Sequence, residues 1–225
     1  MASDYAAIIF DVDGTLISSG GAGGRSWDHA ARRLYGQEAD ITEFTDTGMT
    51  DPEVATEVFR YVHDREPSRQ ELSTLIAAYL WFVPDLVAAS EGYEVLPGAR
   101  ETLERLGEQG MPVGIVTGAV EAACHVKLGR GGLNALLAFG GFGSDAPARE
   151  EILRIALDRA GTYVGRELAP EECLVVGDTP KDVEAAKRVG CPSLAVASHK
   201  YGREELAEAN PTHLLDALTE PLPGR

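Results

Sequence analysis

Two hydrophobic periods alternate along this chain. From Tyr5 to Phe10 the residues are apolar without a break, and the run ends in Asp11 and Asp13, one residue apart. A short apolar run closed by a turn signal reads as a buried strand. Carboxylates are almost never buried without a partner, so Asp11 and Asp13 belong where the strand opens into a loop, beside a cation, hydrogen-bond donors or both. Gly14 permits a sharp turn or a close approach, and Thr15 adds a hydroxyl. Taken alone, the stretch is also compatible with a plain strand followed by an Asp-Gly turn.

The next seventy residues carry the helical period. Ser18 to Gly24, with four glycines, reads as a flexible hinge. Residues 25–36 read as a helix with Trp27, Ala30, Ala31, Leu34 and Tyr35 on one side and Gly36 as its stop. Thr50-Asp51-Pro52-Glu53 is a helix start, followed by Val54, Val58, Phe59 and Val62 as an apolar side. Ser68 to Glu71 is a capping box that opens a long helix, which Pro84 is expected to kink or end. Residues 18–90 thus read as helical, with no strand signal. Trp27, Tyr79 and Trp81, at helical spacing, are expected in the core of this block.

Beyond it, strands and helices alternate. Strands are predicted at Val113–Val116, Leu136–Phe139, Cys173–Val176, Ser193–Ala197 and His213–Leu215. Helices are predicted from Ala99 to Leu106, Val120 to Leu128, Glu150 to Ala160 and Pro180 to Val189. Alternation of this kind means a parallel sheet covered on both faces. The expected architecture is α/β, a doubly wound parallel sheet with a Rossmann-like core from residues 1–17 and 91–225, interrupted by an all-helical cap at 18–90. A joint beside the two aspartates makes the cap a lid.

Composition narrows the partners. The 225 residues carry a net charge of -16, which argues against a nucleic-acid backbone or an anionic membrane as partner. No apolar run is read as long enough to span a membrane. Cys124, Cys173 and Cys191 are widely spaced and odd in number, as expected of reduced thiols in a cytoplasmic protein. The first residues lack the basic and apolar regions of a signal peptide. A monomer is expected. Its five histidines show no metal-ligand spacing.

Three predicted strands end in polar residues: Asp11 to Thr15, Thr117-Gly118, and Gly177 to Asp182. In a parallel sheet these ends share one edge, where ligands bind. That gathers Asp11, Asp13, Asp178 and Asp182. Clustered carboxylates repel unless a cation joins them, and an all-oxygen set suits Mg²⁺. Thr117 would offer its hydroxyl and backbone N–H to an anion.

These motifs resemble the haloacid dehalogenase-like hydrolases, and most of all the phosphoglycolate phosphatase branch with a helical cap. Asp11-Val12-Asp13-Gly14-Thr15, the strand ending in Thr117-Gly118, and Gly177-Asp178-Thr179-Pro180-Lys181-Asp182 stand in the family's order across nearly the whole chain. Gly48 to Glu53 and Leu96 to Ala99 also look like that branch. The resemblance implies that Asp11 is the nucleophile and Asp13 the general acid and base. It implies Mg²⁺ held by Asp11, the Asp13 carbonyl and Asp178, with Asp182 behind them. Gly14, Thr117 and Gly118 would bind the phosphoryl oxygens. An aspartate at position 13 is what the family's phosphatases have and its dehalogenases and phosphonatases lack.

One motif departs from the family. Where a lysine is usual, Gly143 to Glu150 offers only Arg149, at a helix start. Arginine can pair with a carboxylate and a phosphoryl oxygen, though its fork differs from an ammonium. Arg149 could also be an ordinary surface residue, with Lys127 and Lys181 as substitutes. The implied activity is Mg²⁺-dependent hydrolysis of a small organic phosphate monoester, with 2-phosphoglycolate as one candidate. The alternatives are a sugar phosphomutase of the same superfamily and a catalytically weak phosphate-binding regulatory protein. Cap positions Arg25 and Thr47 could reach the substrate or remain solvated.

Overall fold

A computed structural model of the chain describes residues 5–46 and 48–224. Six parallel strands form one sheet: β1 (Ala7–Phe10), β4 (Val113–Val116), β5 (Phe139–Gly141), β6 (Cys173–Gly177), β7 (Ser193–Val196) and β8 (His213–Leu215). Their order across the sheet is β5-β4-β1-β6-β7-β8. β1 lies at the centre because its residues are apolar in both directions. Ile8 and Phe10 pack into one core with Leu103, Leu106, Cys124 and Leu128. Ala7 and Ile9 pack into another with Ile152, Leu153, Ala156 and Ala186. The first face is covered by α4 (Ala99–Glu108) and α5 (Glu121–Arg130), the second by α6 (Arg149–Val164) and α7 (Pro180–Val189). This is the doubly wound α/β sheet that the alternation predicts.

Register fixes the site. Phe10 pairs with Ile115 on one side and Val176 on the other. The three central strands therefore end level, and the residues after them share one edge.

The inserted helices are α1 (Ala22–Tyr35), α2 (Asp51–His63) and α3 (Arg69–Ala89). The capping boxes form at Thr50–Glu53 and Ser68–Glu71. Together the helices bury Trp27, Val58, Phe59, Leu75, Tyr79, Val83 and Val87, with Val120 and Ala123 of α5 closing the cluster from below. Trp27 stacks on Tyr79, ring centroids 3.9 Å apart and nearly parallel.

Several expectations are corrected. The glycine-rich stretch is not a loose hinge. Ile17–Ser19 is a strand, β2, antiparallel to β3 (Tyr93–Val95), and this two-stranded ribbon carries the chain out to the helices and back. Gly23 and Gly24 lie inside α1. Gly20 has φ +58°, and a Cβ there would stand 2.4 Å from the Gly92 backbone, so only glycine fits where the two strands cross. Pro84 lies within α3 without ending it. Trp81 is 80% exposed, because two residues from Tyr79 is about 200° around a helix. The strand expected at Leu136–Phe139 begins at Phe139, and Leu136 ends a 3₁₀ turn. Gly140 and Gly141 read as breakers but are strand residues; a Cβ on Gly141 would meet the Ile152 carbonyl oxygen at 2.4 Å. A short helix, α8 (Arg203–Glu208), lies between β7 and β8, where the sequence pattern predicts none. One helix, α3, is long and apolar enough by length and composition to cross a membrane, with mean hydropathy 1.6. In this structure Leu75, Tyr79, Val83 and Val87 on it pack into the cluster of inserted helices.

Trp27→Ala removes the largest side chain of that cluster and the stack on Tyr79. It is expected to cost about 3–5 kcal/mol, read as a lower denaturant midpoint in equilibrium unfolding.

Candidate active site

Asp11 follows β1 directly, its N–H donating to the Val176 carbonyl at 2.7 Å. Asp178 follows β6, and Asp182 lies in the first turn of α7. One carboxylate oxygen from each of the three lies within 4.8 Å of the others, and all three residues are buried. Arg149, at the start of α6, is set among them. Its Nη2 donates to Asp11 Oδ1 at 2.7 Å and to Asp182 Oδ1 at 2.5 Å, and its Nε donates to Asp182 Oδ1 at 3.0 Å. Arg149 is thus the cation that holds the first aspartate, and the reading of it as a surface residue is set aside. Among the described residues its Nη1 donates to no protein acceptor.

The substitutes are placed elsewhere. Lys181 packs its aliphatic chain against Gly48 and lines a cleft of about 310 Å³ between the inserted helices and the sheet domain. Lys127 of α5 is buried, but its ammonium pairs with Asp13 Oδ2 at 2.7 Å rather than with Asp11. So Arg149 serves Asp11 and Lys127 serves Asp13.

Each carboxylate has a distinct setting. Both oxygens of Asp182 are taken: Oδ1 by Arg149, and Oδ2 by the Thr179 N–H and hydroxyl at 3.0 and 2.7 Å, which caps α7. Asp178 Oδ1 accepts from the Thr15 hydroxyl at 3.1 Å, while Oδ2 is buried with no donor. Burial, and then repulsion from Asp182, pushes the Asp178 carboxyl up to about 7. Burial, and then Asp182, also raises Asp11 well above the ordinary carboxyl range against the opposing pull of Arg149. Three buried carboxylates facing one guanidinium leave an uncompensated negative charge. The orphaned Asp178 oxygen and this excess fit a hard divalent cation such as Mg²⁺. Asp11 and Asp178 would hold it, with Asp182 behind them because its lone pairs already serve protein donors. The Asp13 carboxylate is not in the cluster, being paired with Lys127.

The anion-binding residues divide. Gly14 has φ +95°, and a Cβ there would fall 2.3 Å from Asp178 Oδ2. Its N–H donates to the Ile17 carbonyl at 2.7 Å, so its part is to let Asp178 approach rather than to bind phosphate. Thr117 also differs from expectation: its N–H is spent on the Gly141 carbonyl at 3.0 Å. Its hydroxyl accepts from the Ala119 N–H at 3.1 Å and keeps its own proton to donate. Gly118 lies under the start of α2, where a Cβ would come 2.9 Å from the Met49 carbonyl oxygen.

Two residues in this region went unrecognised as polar groups of the site. Asp51, in the first turn of α2, donates its N–H to the Gly118 carbonyl and accepts from the Val120 N–H, both at 2.8 Å. It fastens the inserted helices to the loop after β4. Burial pushes its carboxyl up to about 6 despite nearby Lys127. Nothing in the sequence distinguishes it from an ordinary acidic residue at a helix start. Tyr79 is fully buried, and its hydroxyl lies near Asp51 but outside hydrogen-bond geometry. Arg25 does not reach the site; it ties the Gly20 carbonyl to the Ser90 hydroxyl at 2.8 and 3.1 Å. Thr47 lies outside the described residues.

The carboxyl edge of the sheet thus gathers three buried aspartates around one arginine, with a fourth aspartate, Asp13, bound to Lys127. The haloacid dehalogenase-like hydrolase family model matches residues 5–190, and the chain belongs to that family. Hexitol phosphatase A of Escherichia coli K12 is 28% identical over 204 residues, covering 84% of this chain and 81% of that protein. Phosphoglycolate phosphatase of the same organism is 25% identical, covering 98% and 92%. Among solved structures, one described as a predicted phosphoglycolate phosphatase from Haemophilus somnus superposes with TM-score 0.75 at 20% identity, covering 97% and 96%. A β-phosphoglucomutase from Clostridium difficile superposes with TM-score 0.70 at 17% identity, covering 95% and 92%.

The Asp51 carboxyl has a signed consequence for stability. Its folded pKa of about 6 lies above its ordinary value of 3.8. Between those values the folded chain holds a proton that the unfolded chain does not. The group's contribution therefore falls as pH rises from about 4 to 6 and is flat above. Asp51→Asn keeps an acceptor for Val120 and removes the titration. The variant is expected to gain on wild type by on the order of 2–3 kcal/mol between pH 4 and pH 8 in paired unfolding curves.

Proposed function

We propose that the protein hydrolyses a small organic phosphate monoester, with 2-phosphoglycolate as the first candidate, using Mg²⁺ and an aspartyl-phosphate intermediate on Asp11. The observation that carries this reading is the meeting of Asp11, Thr117, Arg149 and Asp178 at the level ends of β1, β4 and β6, with Asp13 one residue beyond Asp11.

In the first half-reaction Asp11 attacks phosphorus, a P–O bond forms to its carboxylate, and the bond to the leaving alcohol breaks. Arg149 holds Asp11 by Oδ1, leaving Oδ2 free of protein donors among the described residues. Asp13 gives a proton to the departing oxygen. In the second half-reaction Asp13 takes a proton from water, whose oxygen attacks the phosphorus and restores Asp11. The Thr117 hydroxyl and Arg149 Nη1 are donors for the equatorial oxygens, where charge concentrates. A bound Mg²⁺, held by Asp11 and Asp178, would neutralise phosphoryl charge. The inserted helices, fastened through Asp51, exclude bulk water so that each donor acts at full strength.

The test is phosphate release from a panel of small phosphate esters, with Mg²⁺ and with excess chelator. Wild type is expected to turn over only with metal. Asp11→Asn is expected to be inactive, and Asp13→Ala to lose on the order of 10²–10⁴ in rate. Isomerised product without free phosphate would instead identify a mutase, and equal activity of Asp11→Asn and wild type would exclude the mechanism.

The metal can be tested without turnover. Mg²⁺ at a hundred times its dissociation constant is expected to stabilise the fold by about 2.7 kcal/mol, seen as a rise in melting temperature that Asp178→Asn abolishes.

A further inference from the structure

Lys127 is an uncommon residue for its position. It lies on the stripe Val120, Ala123, Cys124, Lys127, Leu128 that α5 turns toward apolar neighbours, and its side chain is only 7% exposed. An ammonium has three N–H donors, and taking it out of water is costly unless they are used. Here one donor is used, on Asp13 Oδ2 at 2.7 Å. Among the described residues no second acceptor lies within hydrogen-bond distance. Burial works against the charge, but the paired Asp13 carboxylate, with Asp51 beyond it, holds the ammonium in its charged form.

Three further features converge on the same place. The Tyr79 hydroxyl is buried without a hydrogen-bond partner; it lies beside Asp51 and within the field of Lys127 and Asp13. Gly23, in the first turn of α1, lies beside the ammonium: a Cβ there would stand in ordinary contact, 3.8 Å from Nζ. That turn of a 14-residue helix has no acidic residue and no side-chain cap, so the positive end of the helix dipole faces the same space. A buried cation with spare donors, a spare phenolic donor and an uncapped helix start form a receptor for a negative group. The receptor adjoins Asp13, the residue that meets the leaving oxygen, and not Asp11.

Resting on the hydrolase reading above, we propose that Lys127, the Tyr79 hydroxyl and the first turn of α1 bind a carboxylate on the leaving-group side of the substrate. The incoming carboxylate takes the Lys127 ammonium from Asp13. The ammonium keeps a counter-charge through the exchange, and Asp13 Oδ2 is released to face the leaving oxygen. An ester without such a group leaves Asp13 tied to Lys127. Lys127 thereby couples recognition of the substrate's far end to availability of the general acid.

The experiment compares 2-phosphoglycolate with ethylene glycol monophosphate, which carries a hydroxymethyl group in place of the carboxylate. The readout is the ratio of their kcat/KM values. Lys127→Met is expected to lower the ratio about 10–100-fold, the span for a hydrogen bond to a charged group. Tyr79→Phe, which removes only an unpartnered hydroxyl and so keeps the fold, is expected to lower it about 3–10-fold. A ratio unchanged in both variants would overturn the subsite, whatever happens to the absolute rates, and would leave Lys127 a tether for Asp13. Calorimetric binding of the two esters to Asp11→Asn separates this outcome from failure of the hydrolase reading. Preference for the carboxylate ester that disappears with Lys127→Met supports the subsite even if wild type releases no phosphate. No preference overturns it.

Discussion

Arg149 stands between Asp11 and Asp182, and the active edge of the sheet depends on that bridge. Without it, three carboxylates would be buried in one cluster with no cation, where Asp178 and Asp182 already raise Asp11. One guanidinium satisfies Asp11 and Asp182 at once because its nitrogens lie in a rigid fork. The fork reaches Asp182 with two nitrogens, while Asp182 caps α7 with its other oxygen. The bridge therefore also fixes how α6 and α7 meet β6. An ammonium is a point charge and could not span the same set of acceptors in the same way.

A second constraint comes from the inserted helices. They are joined to the sheet domain by the ribbon of β2 and β3 and by the contact of Asp51 with Gly118 and Val120. Close packing at Gly20, Gly92 and Gly118 lets backbones meet where side chains would collide. Gly20 and Gly118 therefore act as fitted spacers, one in the ribbon and one under α2. Movement of the inserted helices, if it accompanies turnover, must break the Asp51 contacts before the ribbon can flex.

Much of this was legible in the sequence for identifiable reasons. β1, β4 and β6 carry uninterrupted apolar runs ended by polar residues, and the register that levels their ends follows from a parallel sheet. The capping boxes at Thr50 and Ser68 are local signals and formed as local signals should. What was not legible depends on long-range contact. β2 and β3 have three residues each, too few to show a period, and exist because they pair with one another across the insertion. Gly140 and Gly141 look like breakers until α6 is seen to press against them. Trp81 shares a composition with Trp27 but not a face. Lys127 did carry a signal, a charge on an apolar stripe at positions 120, 123, 124, 127 and 128, but its partner, Asp13, is 114 residues away.

The net charge of -16 gives these local cations a wider significance. A protein with so negative a field repels phosphate esters at a distance, and each anion must find positive potential made on the spot. Arg149 lies beside Asp11 and Lys127 beside Asp13, so positive charge is divided between the two sides of the scissile bond. Both cations are buried and already paired, which keeps them from acting as general anion traps. A ligand gains from them through the donors their internal partners leave open, Arg149 Nη1 among them, and only where its charges are spaced as Asp11 and Asp13 are. Selectivity in this site thus comes from cations whose remaining donors are few and fixed in direction by their internal partners, a constraint that a freely solvated basic patch would not have.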